Sequence, residues 1–300
     1  MLQQLNPKNE NLIVYVDGTL VHRDDAKVSV FDSVVQGGDA VWEGIRVYDG
    51  RIFHLEQHLE RLQLSAHALD FKAIPDNDFI TDAIFQTLKA NQMRDGVHIR
   101  LTLTRGRKIT SGMDPRLNQY GCTLIVLAEF KPPVYPPSIK LATSSTRRNS
   151  PMHLDSKIHH NNLLNNILAK IEANYAGADA GLMLDTDGYI AEANGVNVFC
   201  IHRGVVYTPH ADYCLPGITR RTILRLCKEN NIPHAEKRLS LTEFYTADEV
   251  FTTGTMGELT RVESIDGRNI INRSGEQLLE KISAHFRALT EVEGVKIPAF

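Results

Sequence analysis

A lysine, a glutamate, an arginine and two glycine–threonine turns are the residues of this 300-residue chain that could do chemistry. Lys157 lies in His153-Leu-Asp-Ser-Lys-Ile-His-His-Asn-Asn162, just ahead of a predicted helix. A lysine amine can condense with a carbonyl group when partial burial or nearby positive charge keeps it neutral and accessible. Spacing alone leaves Lys157 an unremarkable solvated lysine. Glu192, in Tyr189-Ile-Ala-Glu-Ala-Asn-Gly195, lies between two hairpin strands among small neighbours. A carboxylate there is either exposed at a bend or buried against a cation, and a protonated ring nitrogen would be such a cation.

Leu215-Pro-Gly-Ile-Thr-Arg220 opens directly into an apolar-periodic run at Ile223, Leu224 and Leu226. Glycine lets backbone approach an anion, N–H groups at a helix start attract phosphate, and Thr219 adds a hydroxyl. An ordinary N-cap uses the same residues. Thr252-Thr-Gly-Thr-Met-Gly-Glu258 follows a short strand, so its hydroxyls and glycines either donate to a phosphate or carboxylate or form a plain turn. Arg61 aligns with His58 and Ser65 on a predicted helix, as a bidentate phosphate partner or as part of a solvated face. His159 and His160 are adjacent, so on a helix they would not point the same way; they read as loop or helix-start residues, and no metal site is expected.

The elements that must position these groups follow from periodicity and turn residues. Strands are expected at Leu12–Val16 and Thr19–Val21 around Asp17-Gly18, and at Gly44–Tyr48 and Arg51–His54 around Asp49-Gly50. Helical spacing starts at Leu55, and a second helix covers Asp78 to Asn91 with Phe79, Ala83 and Leu88 among its apolar positions. After Gly96, Val97, Ile99, Leu101 and Leu103 alternate with His98, Arg100, Thr102 and Thr104, which predicts a half-buried strand. Gly121–Phe130 is a more apolar strand. Four prolines within Lys131–Ser138 can continue neither a helix nor a central strand, which makes this stretch the linker. Beyond it come a strand at Ile139–Ser144, a helix running into Asn161–Ala176, and hairpins at Asp187-Gly188 and Arg203-Gly204. A helix at Thr219–Asn230, a strand near Glu249–Thr252 and a helix after Ser274 follow. The class is α/β, of mixed α+β character. A smaller domain takes residues 1–130, the linker 131–138, and a larger domain 139–300.

Composition narrows the partners. Apolar residues make up 42% and charged residues 23%, the balance of a globular protein. A net charge of −3 gives no basic field for nucleic acid or an anionic membrane. No apolar run approaches a membrane span, and no basic-then-apolar signal opens the chain. The four cysteines show no C-x-x-C spacing and read as reduced thiols, so a cytoplasmic location is expected. G-x-G-x-x-G after a strand, the Walker A loop, H-E-x-x-H and G-x-S-x-G are missing, which counts against dinucleotide oxidoreductases, P-loop enzymes, zinc proteases and the corresponding hydrolases.

Taken together, these segments resemble the class IV pyridoxal-phosphate aminotransferases, the branched-chain and D-amino-acid family. The matching pieces, in order, are Val41-Trp-Glu-Gly-Ile-Arg46, His58-Leu-Glu-Arg-Leu62 and Lys157 with Asn161. Tyr189–Glu192 running to Asn197-Val-Phe199, Leu215–Arg220, and Ala247–Phe251 with Gly254-Thr255 complete the series. The resemblance covers nearly the whole chain, and the motifs are individually weak but strong in register. It implies a two-domain fold type IV, D-amino-acid aminotransferase-like, normally a homodimer. By it, Lys157 would form the Schiff base with pyridoxal 5'-phosphate, and Glu192 would pair with the ring nitrogen. Arg61, Ile218, Thr219 and Thr255 would hold the phosphate.

The branched-chain type is the nearer match through Glu43–Arg46, Arg100 and Leu215–Arg220, with Trp42, His98, Arg100 and Met256 as substrate-binding positions. Gly37, Trp42, His98 and Asn162 stand where branched-chain members usually carry aromatic residues, and Met256 replaces a small one. The reading is transamination from a branched-chain L-amino acid to a 2-oxo acid such as 2-oxoglutarate. A D-amino-acid transaminase, a 4-amino-4-deoxychorismate lyase on the same scaffold, and a non-catalytic binding protein are the alternatives. Arg105, Arg107 and Lys108 are either contacts to a second carboxylate or a solvated loop.

Overall fold

Residue–glycine pairs with positive φ set the tight hairpins. Asp17 (φ +47°) and Gly18 (+89°) turn β1 (Ile13–Val16) into β2 (Thr19–His22), as a two-residue hairpin loop requires. The computed structural model describes residues 4–300. The chain divides into two compact units. The first runs to Pro132 and also takes Ile158–Asn162 and Thr290–Phe300; the second holds Pro133–Lys157 and Leu163–Leu289. The first changeover falls in the proline-rich stretch.

In the first unit, the single-turn helix α1 (Ser33–Gly37) leads to β3 (Ala40–Tyr48), which turns through Asp49-Gly50 into β4 (Arg51–Ile52). The helices α2 (Leu55–Ala68) and α3 (Asn77–Ala90) follow, then β5 (Val97–Thr104) and β6 (Thr123–Phe130). Among the described residues these strands and the short strand Val295–Lys296 make a seven-stranded antiparallel sheet. Its order is Val295–Lys296, β4, β3, β5, β6, β1, β2. Leu55, Leu59, Leu62 and Ala66 form the buried stripe of α2. Each buried leucine contributes roughly 1.5–3 kcal/mol.

The first unit departs from the sequence expectation at α3 and β5. Phe79 is 51% exposed, because the buried stripe of α3 is centred on Ile80, Ala83, Ile84 and Leu88 and leaves Phe79 at its edge. The strand β5 is not half-buried: His98, Thr102 and Thr104 are buried along with the alternate apolar residues. It lies between β3 and β6, and both of its faces are covered.

The second unit contains β7 (Ser138–Thr143), α4 (Leu164–Tyr175), β8 (Ala180–Leu184), β9 (Ile190–Ala193), β10 (Asn197–His202) and β11 (Val205–Thr208). After these come α5 (Ile218–Glu229), β12 (His234–Glu236), α6 (Leu241–Tyr245), β13 (Glu249–Gly254), β14 (Glu258–Ile265) and β15 (Arg268–Asn269). The last helix, α7 (Leu278–Val292), belongs to this unit up to Leu289. Among the described residues the sheet runs β12, β11, β10, β13, β14, β7, β8, β9, with β15 beside β14. The pairs β11–β12, β14–β7 and β7–β8 are parallel and the rest antiparallel.

The helix α4 begins at Leu164, later than periodicity suggests, because the backbone of residues 159–161 is bonded to the start of β3. Trp42 donates its backbone N–H to His159 (3.0 Å), and Asn161 donates to Ala40 (2.8 Å). Residues 158–162 therefore lie along the start of β3 as a strand-like edge, and His159 and His160 are part of it rather than a helix start.

Candidate active site

In the second unit, the site grows from Glu192. Its place on β9, opposite Met183 on β8, puts its side chain inside the protein, 4% exposed. Of the two alternatives left open by the sequence, burial against a cation is the one realised, and that cation is Arg148. The Arg148 Nε–H donates to Oε1. The amide of Asn197 donates to Oε2 (3.1 Å), and the Leu215 backbone N–H lies 3.3 Å from Oε2. Burial pushes the Glu192 carboxyl up, against the pull of the Arg148 charge. Arg148 is itself buried, and its Nη1 has no hydrogen-bond partner among the described residues.

Asn197 links this carboxylate to the start of α5. Its amide also donates to the Leu215 carbonyl (2.9 Å), and a Cβ on Gly217 would lie 2.1 Å from its Oδ1. A side chain at Gly217 would push the Asn197 amide out of these bonds. Gly217 is the N-cap of α5 and supplies no side-chain cap, so the N–H groups of Ile218 and Thr219 head the helix without one. Ile218 and Thr219 are both buried. Across the sheet, Thr253 on β13 pairs with Asn197 on β10, so the two side chains share a face. The Thr253 hydroxyl is buried and has no hydrogen-bond partner among the described residues. Two residues on, Thr255 is half-buried in the turn from β13 to β14, and the carbonyl of its neighbour Met256 accepts from Val134 N–H (3.0 Å).

Lys157 is reached by another route. Its backbone N–H donates to Asp155 Oδ1 (2.9 Å), while its amine is 3.3 Å from the Asp212 carbonyl and 3.7 Å from Asp155. Asp212 is on the loop that leads from β11 through Leu215 to α5. The Lys157 side chain is 44% exposed, an amine within reach of a ligand.

The residues of this unit fit a flat, cationic ring that carries a phosphate. A buried carboxylate stands at one end of a hydrogen-bonded chain and a glycine-led helix start at the other, with the Thr253 hydroxyl on the face it shares with Asn197. Nothing in the sequence singles out Arg148 or Thr253. Arg148 sits in Thr146-Arg-Arg-Asn149, where nothing distinguishes it from a solvated basic pair; Thr253 was one hydroxyl among several in its turn.

In the first unit, Arg61 projects from α2 onto Glu43 of β3. Trp42, Arg100 and Asn161 form a second group. The Arg100 guanidinium lies 3.5 Å from the Trp42 ring centre and donates to Asn161 Oδ1 (3.0 Å). Burial lowers the Arg100 pKa to about 10. His98 has both ring nitrogens buried and without hydrogen-bond partners among the described residues. Desolvation, with Lys131 and Arg46 adding to it, lowers its pKa to about 3 and holds it neutral. The following loop is more structured than a solvated one. Arg105 binds Asp39 and the carbonyls of Leu69 and Asp70, Arg107 lies over Tyr120, and buried Lys108 donates to the Gly112 carbonyl.

Residues 40–265 match the family model described as amino-transferase class IV. The chain is 56% identical to branched-chain-amino-acid aminotransferase-like protein 2 of Arabidopsis thaliana, over 98% of this chain and 53% of that protein. It thus spans about half the length of that relative. Among solved structures, the branched-chain amino acid aminotransferase of Escherichia coli superposes with a TM-score of 0.88 at 30% identity, covering 94% of this chain and 95% of that one. The enzyme of the same name from Thermobaculum terrenum, in its PLP-bound holo form, gives 0.83 at 26% identity, covering 93% and 94%.

Proposed function

Since the chain belongs to the class IV aminotransferase family, we propose that it is a pyridoxal-phosphate-dependent transaminase that moves the amine of a branched-chain L-amino acid to a 2-oxo acid such as 2-oxoglutarate. The observation that carries this reading is the run of bonds from buried Glu192 through Asn197 to the start of α5. Bound there, the cofactor would supply a cationic ring that takes up the electron pair left when an amino acid loses its α-proton.

The chain's own residues do the rest. Glu192 keeps the proton on the ring nitrogen. The backbone N–H groups of Ile218 and Thr219, with the hydroxyls of Thr219 and Thr255, hold the phosphate, and Arg61 is the cationic phosphate ligand. Lys157 would hold the cofactor, and its amine, once displaced by the substrate's own, would accept the proton from the substrate's α-carbon. Trp42, His98, Arg100 and Met256 are the substrate-binding residues, Arg100 supplying a guanidinium for a carboxylate.

The test is a scan of L- and D-amino acids against the yellow, cofactor-loaded protein. L-valine, L-leucine and L-isoleucine should bleach its visible band, and 2-oxoglutarate should then be converted to glutamate. Reaction with D-alanine or D-glutamate alone would overturn the L-specific reading. A spectrum indifferent to every amino acid would overturn the enzyme.

The functional form in this reading is a homodimer in the cytoplasm. Leu164, Ile167, Leu168, Ile171 and Tyr175 make an exposed apolar stripe along one face of α4, which supports a partner helix or sheet against it. Free Cys122, Cys200, Cys214 and Cys227 suit a reducing compartment. Ile167→Glu combined with Ile171→Glu should halve the mass measured by sedimentation equilibrium. A native protein that sediments as a monomer would contradict the dimer. Among the described residues no helix is long and apolar enough to cross a membrane.

A further inference from the structure

At the centre of the first unit stands a carboxylate with no exposure to solvent. Glu43 faces inward from β3 and receives two donors on each oxygen. Arg61 Nε (2.8 Å) and His159 Nδ1 (3.1 Å) meet Oε1; Arg61 Nη2 (2.7 Å) and His58 Nδ1 (2.7 Å) meet Oε2. Burial alone would raise this carboxyl, but the Arg61 charge outweighs it and, with His159, holds the group well below the carboxylate range. An ionised carboxylate only accepts, so both histidines present N–H at Nδ1. Desolvation lowers His159 to about 4 and keeps it neutral, so the net charge of the cluster is balanced by Arg61.

Holding β3 to α2 does not need this cluster. Leu55, Leu59, Leu62 and Ala66 already pack α2 onto the sheet, and a buried ion pair stabilises no better than apolar residues of similar volume. The cluster does fix orientation. A bidentate fork sets the plane of the Arg61 guanidinium, and His159 ties to the same carboxylate the segment that directly follows Lys157.

We propose that Glu43 is a positioning residue that holds the Arg61 guanidinium in the plane from which it binds the cofactor's phosphate. This rests on the reading of Arg61 as a phosphate ligand. The test titrates the full-length apoprotein with pyridoxal 5'-phosphate and, separately, with pyridoxal, which lacks the phosphate. Glu43→Gln should weaken the phosphorylated ligand about tenfold, the value of one charge-assisted hydrogen bond, and leave pyridoxal binding unchanged. In an Arg61→Met background, Glu43→Gln should add nothing further.

The failures are distinct. If Arg61→Met leaves the preference for the phosphorylated ligand intact, the reading of Arg61 fails, and the role of Glu43 with it. If Arg61→Met abolishes that preference while Glu43→Gln preserves it, or weakens both ligands equally, Glu43 alone is overturned. Glu43→Asp keeps the charge but draws the carboxylate back by one methylene, and carries the same comparison should the glutamine variant not fold. Failure of both variants to fold would make Glu43 structural and overturn the proposal.

Discussion

Replacing Lys157 with alanine should leave a folded protein whose transamination has fallen about 10²–10⁴-fold, the range of a lost acid–base group. Folding should survive because the side chain is 44% exposed and its ion pair with Asp155, at 3.7 Å, is worth about 0–1 kcal/mol at a surface. The variant should still bind pyridoxal phosphate through the groups around Glu192 and α5. The loss should appear in kcat, since the proton transfer rather than binding has been removed. Added small alkylamines should restore part of the rate. The urea midpoint and single-turnover kinetics check the two halves separately, and a variant with native kcat would remove Lys157 from the mechanism.

Glu192→Gln should produce two losses that can be pulled apart. The amide keeps an acceptor for Asn197 and Leu215 but removes the charge that Arg148 faces in the interior. Removing one partner of a buried pair costs about 3–5 kcal/mol, so the urea midpoint should fall sharply. The rate should fall separately, by about 10²-fold or more, because a neutral amide no longer favours a protonated ring nitrogen where charge develops. Arg148→Met in the same chain removes the stranded cation and should recover much of the stability but none of the rate. Recovery of both together would mean that Glu192 serves the fold and not the cofactor.

The legible parts of the fold were those written locally. The Asp17-Gly18, Asp49-Gly50 and Arg203-Gly204 turns take positive φ at both positions, marked in each case by the glycine, and the periodicity from Leu55 matches the buried stripe of α2. The start of α5 at Ile218 was marked by Pro216-Gly217 ahead of its apolar run. What could not be read depends on distant chain. The alternation in β5 gave no sign of what covers its polar face, and residues 158–162 lie beside β3 through bonds to Ala40 and Trp42, more than a hundred positions away. Arg148 and Glu192 are 44 residues apart, so their pairing had no local signature. Glu43 was visible as a motif residue, yet its four donors come from two segments that only the folded unit brings to one carboxylate.

If Lys157 is the lysine that carries the cofactor, borohydride reduction of the yellow protein followed by proteolysis and mass mapping will locate it there. The pyridoxyl phosphate mass should be found on the peptide that contains Lys157, at close to one per chain, and should be absent from that site in Lys157→Ala. A label on another lysine, or on none, would remove Lys157 from the cofactor's attachment.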